Sequence, residues 1–209
     1  MRNLIAEDIK IFSSDAKLSA AFTAATTDII TSAAHGLIEG DLIQVSSSTT
    51  LPAGLSASTD YYVRDVTTNT FKVSTTMGGS AVDITDTGTG THTLVLKGKK
   101  VLVSDASVIN LSVHTTGSAN FLLQVQGSEQ EDVDFNAAAS PSNRWTYLTL
   151  ADLSTPATKY AGDTGYTEIS GTDRNKLFEV NVNGVKFITI LITTWVAGQL
   201  DAKASLYGN

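Results

Sequence analysis

The chain of 209 residues is long enough for one large β domain or two small ones, and either can bury a core without covalent staples. It has no cysteine, which excludes disulfides, thiolate metal sites and thiol nucleophiles. A formal net charge of −7 opposes binding to DNA or RNA, because that affinity comes mainly from Lys and Arg neutralising phosphates.

At the N-terminus, MRNLIAEDIK places Glu7 and Asp8 where a secretion signal needs an uninterrupted apolar run, so the chain is expected to be made and folded in the cytoplasm. Residues 1–27 read as an N-terminal arm. Ile9 and Ile11 alternate around Lys10, and Ala16 to Ala25 is small and weakly patterned, which leaves a strand, a short helix or a docked tail open.

Residues 28–97 carry regular punctuation: Gly36, Gly40, Pro52-Ala53-Gly54, Asn69, Gly78-Gly79 and Gly88-Thr89-Gly90 separate short apolar runs. Turns that close together mean short strands, and the region is expected to form a small β-barrel. Leu42, Ile43 and Val45, then Tyr61, Tyr62 and Val63, then Phe71 and Val73, then Leu94 and Leu96 supply the strands. The basic run Lys97-Gly98-Lys99-Lys100 reads as a solvated junction between domains.

Residues 101–209 show two-residue periodicity and are expected to form a β-sandwich. Ile109, Leu111 and Val113 alternate with polar neighbours, as do Phe178, Val180 and Val182, and then Leu200, Ala202, Ala204 and Leu206. Lys186 to Ile192 is apolar on both faces, as a central strand should be. The most apolar stretch, Phe187 to Ala197, holds three threonines and is far shorter than the ~20 residues of a membrane-spanning helix. Asn183-Gly184 predicts either a tight type I′ hairpin or a sharp corner between sheets. Ser128 to Ser142 reads as a long exposed loop.

Few residues point to chemistry. His35, His92 and His114 stand apart and lack metal-ligand spacing. Glu129, Glu131, Asp132 and Asp134 are clustered oxygens of the kind calcium takes, but they fit no EF-hand and read as solvated loop charge. Asp83 and Asp86 give a weaker version of the same pattern. The glycines at 78–79 and 88–90 lack the strand, GxxxxGK and helix of a phosphate cradle. Trp145, Tyr147, Tyr160 and Tyr166 are the candidate ligand-contacting aromatics, as a platform for stacking a sugar or, alternatively, as sandwich core. No catalytic residue, metal site or cofactor is assigned, and no enzyme is expected.

The stretch from Ala33 to Leu94 carries a resemblance. AAHGLIEGDLIQV, LPAGLSASTDYYV, NTFKVSTTMGGSAVDI and GTGTHTL follow in order a small β-barrel module recurrent in head and tail proteins of tailed bacteriophages. The module is sometimes labelled after the first catalytic cysteine half-domain of ubiquitin-activating enzymes, with no catalysis implied. More loosely, RWTYLTL, LFEVNVNGVKFITILITT and the alternating C-terminal strand resemble β-sandwich domains of phage decoration, tail and adhesin proteins. The expected chain is therefore all-β, a small β-barrel plus an antiparallel β-sandwich with an N-terminal arm. The resemblance implies a virion protein, foremost a capsid decoration or cement protein. Alternatives are a tail or tail-fibre connector or host-contact protein, and a carbohydrate-binding module. The partners it implies are other virion proteins, the major capsid protein first, and further copies of the chain, with a trimer at capsid three-fold positions as one arrangement. Neither nucleic acid nor membrane is an expected partner.

Overall fold

The computed structural model describes residues 3–12, 19–57, 59–131, 133–135, 137–155, 157–171 and 174–208. It is all-β: among the described residues 57% are in strands and none in a helix. In chain order the strands are β1 (Asn3–Phe12), β2 (Ser19–Ala24), β3 (Ile30–Thr31), β4 (Asp41–Ser47), β5 (Tyr61–Arg64), β6 (Thr70–Ser74) and β7 (His92–Leu102). They continue with β8 (Val108–Ser128), β9 (Thr146–Leu148), β10 (Leu150–Asp152), β11 (Lys159–Tyr160), β12 (Tyr166–Gly171), β13 (Arg174–Asn181) and β14 (Phe187–Gly208). The chain divides into two compact units, one of Asp15–Gly98 and one of Met1–Ser14 with Lys99–Asn209.

In the first of these, six strands close on themselves in the order β7, β2, β3, β6, β5, β4 and back to β7. Closure removes the exposed edges that such short strands would otherwise present. Alternate residues fill the interior: Phe22, Ile43, Val45, Val63, Phe71, Val73, Leu94 and Leu96 are all buried, and Ile84 from a loop is buried with them.

The motif residues of this unit do scaffold work. His35 is buried, its ring edge-on to Phe71 at 5.0 Å, and its Nδ1 accepts the Leu37 N–H at 3.0 Å. Asp41 accepts the Ile38 N–H through Oδ2 at 2.8 Å, closing the turn that contains Gly40. Tyr61 accepts the Ser56 N–H at its phenol oxygen, which ties down the loop that Pro52 begins. Asn69 accepts the Ala34 N–H through Oδ1 and the Ser32 N–H through its carbonyl.

The second unit is built on two long strands. β8 and β14 pair along nearly their whole length, from Phe187↔Ser128 to Tyr207↔Val108. The register shifts three times between Ile192 and Gln199, opposite the stretch where Gly117 has φ 70°, and bulges of this kind let a strand turn a corner. The halves beyond the bend recruit different neighbours. Residues 108–115 of β8 pair with β13, which pairs with β10 and through it β11. Residues 119–127 of β8 pair with β12 and β9. Tyr166 of β12 lies against Phe178 of β13 at 4.9 Å, so the two sets face each other as in a sandwich. The alternating residues read from the sequence line this interior: Ile109, Leu111, Val113, Phe178, Val180, Ala202, Ala204 and Leu206 are buried.

Three local expectations change. The stretch 1–27 holds two strands in different units: β1 pairs with β14, burying Ile11 and Phe12, while β2 is a barrel strand; residues 1–2 and 13–18 of that stretch lie outside the described residues. Lys97 to Lys100 lie inside β7 rather than in a turn, with Gly98 at φ 136°. The Asn183-Gly184 reversal is closed by the Val185 N–H on the Val182 carbonyl at 3.0 Å, yet only Gly184 has positive φ, so it is not type I′. It joins β13 to β14, which do not pair with each other, and so forms the corner between sheets.

Candidate functional site

The four aromatics singled out by sequence form two edge-to-face pairs. Trp145 and Tyr147, both half-buried, meet at 5.1 Å and 80°, and Trp145 Nε1 donates to the Ala137 carbonyl at 2.9 Å. The pair pins the loop that precedes it. Tyr160 and Tyr166 meet at 5.2 Å and 74°, and both contact Phe178. Tyr166 is buried, so it belongs to the sandwich interior, while Tyr160 is half-buried at its margin.

Around Tyr166 the structure gathers charged residues that the sequence reading passed over. Asp152 of β10, Glu168 of β12 and Lys176 of β13 each continue the inward side of a strand, after Leu150, Tyr166 and before Phe178 respectively. That parity was the available signal. Lys176 Nζ lies 2.7 Å from Asp152 Oδ2 and 5.9 Å from the centre of the Tyr166 ring. Ser154 donates its N–H and Oγ–H to Asp152 Oδ1 at 2.9 and 2.5 Å. Tyr166 donates its phenol proton to Glu168 Oε2, and Arg174 Nε lies 3.4 Å from Glu168 Oε1.

The electrostatics follow from these contacts. Burial pushes Asp152 upward, but the bonds from Lys176 and Ser154 outweigh it and hold the carboxyl below its usual range. Burial, reinforced by the Glu168 carboxylate, raises the Tyr166 phenol well above its ordinary value. Each charge in this cluster is met by another member. Chemically it is two ion pairs that both reach Tyr166, Lys176 over its ring and Glu168 at its hydroxyl.

The loop acids are spent separately. Glu129 pairs with Arg144 at 3.0 Å, Glu131 with Lys186 at 3.2 Å, and Asp134 accepts the Ala137 N–H; Asp132 lies outside the described residues. Among the described residues no group of three or more His, Asp or Glu side chains is placed to hold a metal. Asp86 accepts the N–H groups of Ala53 and Gly88 through Oδ1, bonds that lower its pKa and close a turn. His114 is exposed and bonds Asn175 Oδ1 at 2.7 Å.

No family model and no curated protein matches the chain. One similar solved structure is the cleaved adhesin domain of Lys-gingipain from Porphyromonas gingivalis, at 14% identity over 80% of this chain and 98% of that one, with a TM-score of 0.31. A score that low carries neither fold nor function across.

Proposed function

We propose that the chain is a structural protein of a tailed-phage virion, without catalytic activity or cofactor, which decorates the head by protein–protein contact. The observation that carries this reading is the role of the residues behind the phage resemblance. His35, Asp41, Tyr61 and Phe71 hold turns and core of a closed barrel, which is the work of a scaffold module. The ion-pair cluster of the second unit agrees with it, since its groups are bound to one another. Stabilisation of a shell would come from interfaces of ~1,200–2,000 Å² repeated by symmetry, so function would reside in surface.

The test is co-sedimentation of the purified chain with phage heads lacking it and, separately, with purified tails. Saturable binding to heads, with a ratio of copies set by the shell, supports decoration. Binding to tails alone replaces it with the connector reading, and binding to neither overturns both.

A further inference from the structure

Asparagine is labile when the backbone nitrogen of the following residue can reach its side-chain amide carbon. A Cβ on that following residue crowds the approach, and glycine has none. In this sequence only Asn183 is followed by glycine. Both residues are exposed, at the reversal that leads from β13 to β14. Gly184 has φ 79°, with nothing within 4 Å of the place a Cβ would take.

The fold leaves both reacting groups unengaged. Among the described residues no hydrogen bond involves the Asn183 side chain or the Gly184 N–H. The reversal is held instead by the Asn183 N–H on Asn181 Oδ1 and the Val185 N–H on the Val182 carbonyl, each at 3.0 Å. Other asparagines are tied down. Asn69 Oδ1 accepts the Ala34 N–H, and the N–H of the following Thr70 is given to Thr67 Oγ1. The Asn143 amide donates to the Asp134 carbonyl and accepts the Asp134 N–H, and Asn175 is bonded to His114. Asn181 Oδ1 holds the Asn183 N–H, while the following Val182 N–H is on the Ser107 carbonyl. Each such bond has to break before the groups can react.

We propose that Asn183 is a site of spontaneous covalent modification, where the side-chain amide becomes an acid by way of a cyclic imide. The Gly184 nitrogen gives up its proton to base and bonds to Asn183 Cγ. The Cγ–Nδ2 bond breaks, and the departing nitrogen takes a proton from solvent and leaves as ammonia. Water then adds to one of the two imide carbonyls. Opening at the side-chain carbonyl gives aspartate. Opening at the backbone carbonyl gives isoaspartate, whose chain runs through Cβ and Cγ and is longer by a methylene. That extra length falls between two anchored flanks, the Val182 N–H on the Ser107 carbonyl at 3.0 Å and the Lys186 N–H on the Ser128 carbonyl at 2.8 Å. Val182 is fully buried, so the isoaspartyl form loosens the corner between sheets. The proposal does not rest on the virion reading.

The test incubates the folded full chain in heavy-oxygen water at mildly alkaline pH, then digests it with trypsin in ordinary water. Mass spectrometry with fragmentation reads the peptides, and the label marks only conversion that preceded digestion. The peptide Leu177–Lys186 is expected to gain label at Asn183 at least tenfold faster than label appears at Asn69, Asn143, Asn175 or Asn181. Gly184→Ala should slow the gain at least tenfold. Asn183→Gln, which keeps Gly184 in place, should remove it. The isoaspartyl form, separated by chromatography, should unfold at a lower urea concentration than the parent. No label at Asn183, label spread evenly over the asparagines, or a rate unchanged by Gly184→Ala would each overturn the proposal. An isoaspartyl form as stable as the parent would overturn the loosening of the corner.

Discussion

Replacing Lys176 with Met keeps most of the side-chain stem but removes the charge that faces Asp152. Asp152 is 1% exposed and would be left with only the two Ser154 bonds to its other oxygen. Breaking one side of a buried ion pair costs about 3–5 kcal/mol, and the surviving Ser154 bonds place this case near 3 kcal/mol. At roughly 2–4 °C per kcal/mol the Tm should fall by about 10 °C. Both tryptophans, Trp145 and Trp195, belong to the unit that contains the pair, so urea unfolding followed by tryptophan fluorescence reports on it directly. The double variant Asp152→Asn with Lys176→Met removes both charges and should recover more than half of the loss. The pH dependence has a definite sign. The folded carboxyl sits below its unfolded value, so its contribution is present above pH ~4 and is lost as the solution is acidified further. The single variant should lack that acid limb. Equal stability of wild type and Lys176→Met would refute the reasoning, because Asp152 would then have to be solvated.

Tyr166→Phe should destabilise by about 1–2 kcal/mol at neutral pH by taking a bond from buried Glu168, measured by the same unfolding assay. The raised phenol pKa adds stability that is whole below pH ~10 and declines above it, so this variant should show a flatter alkaline limb in Tm against pH. Gly88→Ala should cost at least about 2 kcal/mol, because left-handed strain is joined by backbone atoms 2.6 Å from the new Cβ. Gly184→Ala, at φ 79° with nothing within 4 Å, should cost only the strain, about 1 kcal/mol, by chemical denaturation. Deleting residues 1–12 should destabilise the sandwich unit by roughly 3–6 kcal/mol, the burial of Ile11 and Phe12, and leave barrel unfolding, followed by NMR at Tyr61 and Tyr62, intact; an unchanged sandwich transition would restore the arm reading.

The sequence made the all-β class legible because strand periodicity is local. Phe178, Val180 and Leu206 declare their side of a sheet through their immediate neighbours. Pairing is not local, and the misreadings follow from that. β1 looks weak in isolation, since Asn3 to Asp8 are mostly exposed, and it becomes a strand only because β14 offers partners from Ala202 to Gly208, near the other end of the sequence. Lys97 to Lys100 carry the charge of a turn but occupy a strand, where Lys97, Lys99 and Lys100 are half-buried. At Asn183-Gly184 the dipeptide marked the reversal, while the partner of each flanking strand decided between hairpin and corner.

The site was less legible for the same reason. Tyr166 and Trp145 drew attention as aromatics, yet what surrounds them comes from across the sandwich. Asp152, Glu168 and Lys176 each sit in line with an inward residue on their own strand, and only the meeting of strands gives Asp152 its Lys176 and Glu168 its Tyr166 and Arg174.

The central claim, a virion structural protein on the head, is tested most directly by imaging intact phage particles with a gold-labelled antibody against this chain. The account predicts label spread evenly over the head. Label confined to the tail, or particles without label, would contradict it.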